Sequence, residues 1–296
     1  MIKLFFLETR PQFLVLAVVL AFLGVCIAWY DGFFHAGHAV LAFIGLLLAH
    51  ASCNTLNDYF DYKSGIDLVT EQTPFSGGSG MLKRGLLTPK QVFWFGIICF
   101  LLCIPIGIYF VIVSGWLLLP LLLIGAICIL FYSPVILKLN WPEWSPFLGL
   151  GVLPVLGTYF VQTSSYTWPA IIASIPSGIL VHNLLFLNEF PDAKADTTGA
   201  RKTLPITLGK KKAGIFYSAL EILVYIWIVG AVAAGVMPVF CLLALFTIPL
   251  AIKAIRGALH PEDISRFMPA MATNVMVVLL TQLLLGIGYI VATIVR

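Results

Sequence analysis

The sequence predicts an all-α integral membrane protein with nine membrane-spanning helices. Three observations carry this reading. Apolar residues make up 60% of the 296 and charged residues only 10%. The mean hydropathy is +1.03. The apolar residues fall in long unbroken runs rather than in short alternating stretches. A hydrocarbon core of about 30 Å needs roughly 20 apolar residues of helix, and backbone groups in lipid must be satisfied within the segment, so runs of this length are helices and not barrel strands.

The runs lie at 12–30, 37–57, 91–113, 115–131, 146–163, 168–187, 213–234, 236–252 and 269–294. The first has no small-residue cleavage site behind it and is read as a retained span rather than a signal peptide. An odd number of spans puts the termini on opposite sides. With the N-terminus inside, the inner segments collect Lys3, Arg10, Lys63, Lys83, Arg84, Lys90, Lys138, Lys194, Arg201, Lys202, Lys210, Lys211, Lys212, Lys253, Arg256 and Arg266, and the outer ones only Arg296. Sixteen basic residues against one is an orientation signal that places the N-terminus on the cytoplasmic side. The net charge of +4 therefore argues little for a nucleic-acid partner. Lys210, Lys211 and Lys212 read as a lipid-headgroup or topogenic patch. Residues 1–296 read as one transmembrane domain with polar cap loops at about 58–90 and 188–212. The six cysteines all fall inside runs and offer no metal spacing or disulfide framework.

The acids are unevenly placed. Of thirteen, Asp58, Asp61, Asp67 and Glu71 follow the second run, and Glu189, Asp192 and Asp196 follow the sixth. Both segments are on the inner side and open with related sequences, NDYFD at 57–61 and NEFPD at 188–192, an internal repeat at an offset of 131 residues. At helical spacing Asn54, Asp58 and Asp61 stack on one face, as do Asn188, Asp192 and Asp196. Each column offers hard oxygen donors, the set that suits Mg²⁺ bridging carboxylates to substrate phosphates. These six are the candidate metal ligands, and Asp58, Asp61, Asp192 and Asp196 the candidate catalytic residues. One acid at a helix end is ordinarily a solvated flank. Two matching columns repel unless a cation sits among them, and so mark a site.

Lys83 and Arg84 follow the first cluster, and Arg201 and Lys202 the second. Cations there would hold the outer oxygens of a diphosphate and stabilise it as it leaves, although positive-inside bias alone also supplies basic loops. Paired acidic helices also build ion pathways, so a cation-coupled transporter is the competing class. Transporters place such sites near the midplane, whereas both columns here lie at helix ends beside basic loops.

The chain resembles the UbiA superfamily of intramembrane aromatic prenyltransferases. The carrying residues are NTLNDYFDYKSGID at 54–67 and NEFPDAKADTTGARKTL at 188–204, within the nine-run layout. The resemblance implies nine helices around a central cavity, where the two motifs face each other, bind two Mg²⁺ ions and hold a prenyl diphosphate whose tail lies in an apolar tunnel open to lipid. The allylic diphosphate would ionise and an electron-rich acceptor attack the carbocation. Metal and cations would stabilise the leaving group, and aromatic faces the cation. Tyr59, Phe60, Tyr132 and Phe190 are the aromatics near the motifs. Expected substrate and diphosphate contacts are Asn54, Asn57, Asp67, Lys83, Arg84, Tyr132, Lys138, Asn188, Lys202 and Arg10, the last preceding Pro11 in an Arg-Pro pair that often opens family members.

The Arg-x-x-Arg-Pro segment that usually follows the first motif in ubiquinone-type, haem-O-type and archaeal glyceryl-phosphate members is absent. TPFSGGSGMLKRGLLTP at 73–89, with Gly65 to Asp67 and Gly199 to Lys202, is similar to the menaquinone branch, whose acceptor is 1,4-dihydroxy-2-naphthoate. The fourth acid of the common first motif falls on Gly65, with Asp67 two residues later. A glyceryl lipid is the alternative acceptor. His50 and His182, upstream on the motif-bearing helices, read as buried interhelical polar residues.

Overall fold

Each apolar run becomes a helix, punctuated by local chemistry. The computed structural model describes every residue except Glu71, Pro74 and Phe75. A short helix α1 (Ile2–Glu8) leads into α2 (Pro11–Tyr30), followed by α3 (Ala36–Ser64) and the single turn α4 (Ile66–Val69). After the cap segment come α5 (Pro89–Ser114) and α6 (Leu119–Leu130), then α7 (Leu153–Thr163), α8 (Trp168–Thr198) and the turn α9 (Leu204–Thr207). The chain ends with α10 (Lys210–Ala233), α11 (Ile248–Ala258) and α12 (Ile264–Val295). No strand occurs among the described residues.

Start signals are conventional. Thr88 and Gln91 form a reciprocal capping box at α5 with Pro89 in the first turn, and the Thr167 hydroxyl accepts from the Ala170 N–H at α8. Both satisfy amide donors that a helix start otherwise strands. Eight helical spans among the described residues are long and apolar enough to cross a membrane, and the protein is a multi-pass integral membrane protein. The ninth run is shorter: a 3₁₀ turn (Trp116–Leu118) leads into α6, and together they fall below that length.

Two expected boundaries are corrected. The sequence ends the second and sixth spans at residues 57 and 187 and begins loops there, but α3 runs on to Ser64 and α8 to Thr198. The acidic motifs are helical throughout, as their column spacing requires, and only the loop starts move. Hydropathy marks where apolar character ends, not where backbone hydrogen bonding ends, and these polar turns face a cavity rather than lipid. Pro191 does not stop α8, as proline in a membrane helix is tolerated where neighbours re-satisfy the freed carbonyl.

The spans form a closed ring of neighbours in the order α2, α3, α5, α6, α7, α8, α10, α11, α12 and back to α2. Lipid is as apolar as leucine, so helices associate through close packing of small residues. At the crossing of a π-helical turn (Pro146–Val152) with α8, a β-carbon on Gly151 would lie 2.6 Å from Gly178 Cα. That contact holds the π turn against α8 and brings Gly149 and Leu150 into a cavity wall. Leu23, Ile27, Val155, Leu180, Val277 and Leu285 fill the interior, while Trp94, Ile98, Leu101, Ile108 and Ile112 of α5 face outward.

The inner ends of α3 and α8 meet the polar connections. The Thr9 carbonyl accepts from Asn54 (2.9 Å), the Ser133 hydroxyl from Asn57 (2.8 Å), and the Leu137 carbonyl from the Lys202 N–H (3.2 Å). The start of α2, the α6–α7 connection and the segment after α8 are thereby tied to the two motifs.

Candidate active site

A polar cavity of about 150 Å³ lies between those ends. From α3 it takes His50, Cys53, Asn54, Asn57 and Asp61, and from α8 Leu184, Leu185, Asn188, Glu189, Asp192 and Asp196. Arg10, Phe13, Asp67, Tyr132 and Arg201 complete the polar and aromatic wall, with Ser76, Gly77 and Gly78 over it. The two motifs thus line one space.

On α3 the cavity face is not the one expected. Asn54, Asn57 and Asp61 line the cavity, while Asp58 is absent from the lining. Asp58 is buried under the glycine-rich cap: its Oδ2 accepts from the Ser79 N–H at 2.6 Å, and a β-carbon on Gly78 would lie 3.1 Å from Oδ1. Spacings of three and four residues both share a face, so Asn54 with Asp61 admits either Asn57 or Asp58 between them. The cap decides, because the Ser79 N–H draws the carboxylate sideways. Gly78 has φ +70°, a conformation that a side chain disfavours.

Arg201 joins the motifs. Its guanidinium donates to Asp196 Oδ1 at 2.7 Å and, through the other terminal nitrogen, to Asp61 Oδ1. Burial works against its charge, but these two carboxylates hold its pKa above the ordinary range. The sequence offers both Arg201 and Lys202 as diphosphate cations beside the second motif, with Lys202 alone among the expected contacts. The helix ends at Gly199 and Ala200 has φ 57°; the reversal returns Arg201 to the cavity and leaves Lys202 exposed.

Glu8 was missed, since nothing in its local sequence distinguishes it from a flanking acid. It is fully buried and accepts from the Ser79 hydroxyl at 2.6 Å, so Ser79 ties it to Asp58. Burial first, and then the Asp58 charge, push its pKa up to about 8. Asp67 behaves likewise: burial, then Asp61 and Asp58, push it up to about 8. Glu143, also missed, is buried in the α6–α7 connection and accepts from the Leu204 N–H at 2.5 Å. Glu189 of the cavity wall lies near its carboxyl, and burial raises the Glu143 pKa.

Four expected basic contacts are not brought to the cavity. Lys83, Arg84, Lys138 and Lys202 are exposed and do not line it. Lys83 donates to the Thr70 carbonyl at 2.9 Å and Arg84 to Gln72 at 3.3 Å. Long, strongly hydrated side chains keep their charge in water when the backbone allows. Arg10 does line it, carried by a left-handed turn (φ 55°) between α1 and α2, with its guanidinium 4.6 Å from the Phe13 ring centroid. Of the expected aromatics only Tyr132 is in the wall. Tyr59 packs on Phe60 and Phe93, and Phe190 is buried against Phe186 and Phe267. His50 lies in the wall; His182 packs against Phe186 and Phe216.

The donor chemistry fits a hard divalent cation. Asp58 Oδ1 and Asp192 Oδ1 are buried without a hydrogen-bond partner, and Asn54 and Asn57 spend their amide N–H groups on the wall, leaving oxygens as donors. Among the described residues no three His, Cys, Asp or Glu side chains form a ready ligand group. Asp61 and Asp196 are instead turned to Arg201, whose charge stands between them.

A second, apolar cavity of about 520 Å³ lies between α3, α5, α6 and α7. It shares His50, Ile129, Gly149 and Leu150 with the polar one. A polar chamber with oxygen donors and cations thus adjoins an apolar chamber.

The UbiA prenyltransferase family model matches residues 15–276. The chain is similar to a 1,4-dihydroxy-2-naphthoate octaprenyltransferase of Bacillus subtilis, at 28% identity over 96% of this chain and 91% of that one. It is also similar to a digeranylgeranylglyceryl phosphate synthase of Pyrococcus horikoshii, at 25% over 86% of each. Among solved structures, a UbiA homologue from Aeropyrum pernix superposes with a TM-score of 0.73 at 16% identity, covering 95% of this chain and 98% of that one. One from Archaeoglobus fulgidus, described as bound to DMAPP and Mg²⁺, gives 0.61 at 13%, covering 96% and 99%. The repeated acidic motif, the helix ring that encloses it and the match over most of the length agree: the chain belongs to the UbiA prenyltransferase family and is an intramembrane prenyltransferase.

Proposed function

We propose that the chain transfers a polyprenyl group from its diphosphate to an aromatic acceptor of the 1,4-dihydroxy-2-naphthoate class, as in menaquinone biosynthesis, and that it uses Mg²⁺. The observation that carries this is the junction of the two cavities. The polar one suits a metal-bound diphosphate, the apolar one a hydrocarbon tail, and the shared wall at His50, Ile129, Gly149 and Leu150 is where the allylic carbon between them would lie.

Asp61, Asp192 and Asp196, with the amide oxygens of Asn54, Asn57 and Asn188, would hold Mg²⁺, two ions in this reading, and Asp58 would join them on release from the cap. Bound there, the metal supplies charge stabilisation to the departing diphosphate. Arg201 and Arg10 line the same space and donate to outer diphosphate oxygens as charge develops. The allylic C–O bond breaks with its electron pair leaving on diphosphate. A ring carbon of the acceptor supplies the pair for the new C–C bond, and the group that carbon carried, a proton or a carboxylate lost as CO₂, leaves its bonding pair behind to restore aromaticity. Tyr132 and Phe13 line the same space and would supply aromatic surface to the cationic fragment. Apolar walls keep water from capturing it.

Naphthoate is supported by the Bacillus subtilis relative and by the segment at 73–89. The Pyrococcus horikoshii relative supports a glyceryl-lipid acceptor as the second reading. The excess of basic residues at the site's end of the ring supports a cytoplasmic N-terminus and site. Arg296, the lone outer cation, lies over Tyr30 with its guanidinium 5.1 Å from the ring centroid. The test is turnover by purified protein with Mg²⁺ and prenyl diphosphates, offered dihydroxynaphthoate and glyceryl lipids in competition, with products identified by mass spectrometry. Prenylated naphthoquinol is the expected product. Exclusive prenylation of the glyceryl lipid overturns the naphthoate reading, and protein-dependent cation flux without prenyl transfer overturns both.

A further inference from the structure

Arg201 stands on a short return segment, and the hydrogen bonds of that segment lead to a buried acid outside the cavity. Past α8 the chain reverses at Ala200, whose φ of 57° lies in the region that a side chain disfavours. Such a residue keeps its conformation only where the surroundings hold it. Among the described residues, two hydrogen bonds dock the residues that follow onto the α6–α7 connection. The Lys202 N–H donates to the Leu137 carbonyl at 3.2 Å, and the Leu204 N–H to Glu143 Oε1 at 2.5 Å. Thr203, between them, is buried and lines the polar cavity. Arg201 is thus set between a disfavoured turn and a two-point anchor.

The two anchors differ in kind. Leu137 gives a backbone carbonyl, which any residue at that position would supply. Glu143 gives a side chain, and it follows a second left-handed residue, Trp141 (φ 57°), and Pro142. It is 1% exposed and does not line the cavity. Burying a carboxyl to satisfy one neutral amide is a costly way to hold a loop. Apolar packing already sets the depth of Leu204, which lies in a cluster with Phe190, Ala213 and Phe267. Packing is non-directional and leaves the peptide units free to rotate. A short bond to a charged acceptor is directional and roughly twice as strong as a neutral one. Without it the turn at Ala200 can relax, and any rotation there swings the Arg201 side chain off Asp61 and Asp196.

Resting on the prenyl-transfer reading above, we propose that Glu143 is a positioning residue for Arg201: through the Leu204 N–H it holds the return segment, and with it the guanidinium, where it meets both acidic motifs and then the diphosphate. Glu143 touches no reacting atom. Its whole effect on the chemistry passes through Arg201.

The experiment is a double-mutant cycle over Glu143→Ala and Arg201→Ala, read both as kcat and as calorimetric affinity for pyrophosphate in Mg²⁺, with Glu143→Gln beside it. Glu143→Ala is expected to lower kcat by about tenfold to a hundredfold, the loss that a misplaced group brings from a distance. It should weaken pyrophosphate in the same sense. Glu143→Gln keeps an oxygen for the Leu204 N–H and should stay within about fivefold of native, the difference between a charged and a neutral acceptor. With Arg201 already replaced, Glu143→Ala should cost almost nothing more. Unconnected sites instead multiply their losses to within about twofold, and that result in either readout overturns the proposal. Should Glu143→Ala fail to fold, Glu143→Asp keeps the charge, draws it back by one carbon and decides on the same terms. Pyrophosphate binding needs no acceptor, so a native protein without prenyl transfer removes the underlying reading while the affinity cycle still decides the role of Glu143.

Discussion

Asp61 and Asp196, on helices whose motifs stand more than a hundred residues apart, are held by one guanidinium, that of Arg201. Neither carboxylate is more than slightly exposed, so this cation is the charge that lets two acidic helix ends approach in a low-dielectric space. A divalent cation entering the site would compete with it. Arg201 would then be free to turn to the diphosphate.

Arg201→Ala is accordingly expected to be costly without metal and less so with it. Removing one member of a buried charge cluster costs on the order of 3 kcal/mol, roughly 5–10 °C in a protein of this size. Thermal unfolding in detergent should show that loss without Mg²⁺ and a larger Mg²⁺-induced rise in the variant than in the native protein. Turnover should fall on the order of a hundredfold, as when a leaving-group donor is removed. Equal Mg²⁺ shifts in both proteins would show that Arg201 and the metal do not compete.

Gly78→Ala tests the cap. Its φ of +70° and the 3.1 Å approach of a β-carbon to Asp58 Oδ1 both oppose a methyl group. The conformational cost is about 1–2 kcal/mol. Because the strain falls on the loop that holds Asp58, turnover should drop by roughly tenfold or more, with only a few degrees lost in unfolding temperature. Native turnover would detach the cap from the chemistry.

Glu8→Gln should change how stability depends on pH. Glu8 has a folded pKa of about 8 against an ordinary 4.5, raised chiefly by burial. A carboxyl raised in the fold leaves stability intact below its unfolded pKa, erodes it as pH climbs toward the folded pKa, and adds no further loss above. The glutamine amide carries no such penalty and keeps an oxygen for Ser79. Melting curves should coincide near pH 4.5 and separate in favour of the variant up to about pH 8. A gap that does not vary with pH would contradict the burial of an ionisable Glu8.

Lys83→Ala and Arg84→Ala are expected to alter kcat/KM by no more than about threefold, less than 1 kcal/mol, because both side chains are exposed and turned to Thr70 and Gln72. Arg10→Ala, in the cavity wall, should lose on the order of tenfold or more. Steady-state kinetics in prenyl diphosphate separates the two cases. A large loss from Lys83 or Arg84 would mean that the cap carries diphosphate donors.

The fold class was legible because hydropathy is a property of runs, and the spans fall where the runs do. What hydropathy could not show was that α3 and α8 continue through their acids, since continuation depends on a cavity that only packing creates. The repeat at 57–61 and 188–192 held the information that the column spacing lost. In its register Asn57 matches Asn188 and Asp61 matches Asp192, and these are the pairs that line the cavity. Asp58 matches Glu189, and its withdrawal under the cap depends on Ser79, a contact 21 residues away. Arg201 and Lys202 were indistinguishable by type, and only the backbone reversal at Ala200 separates them. Glu8 and Glu143 gave no signal, because burial at a loop or helix end is set by the partner that covers it.

The most direct test is calorimetric binding of a non-ionisable prenyl thiodiphosphate with and without Mg²⁺, to the native protein and to Asp61→Asn and Asp192→Asn. Two helix ends sharing one metal-bound diphosphate require tight, Mg²⁺-dependent binding to the native protein and a loss of about tenfold or more in each variant. Mg²⁺-independent binding, or native affinity in either variant, would contradict that arrangement.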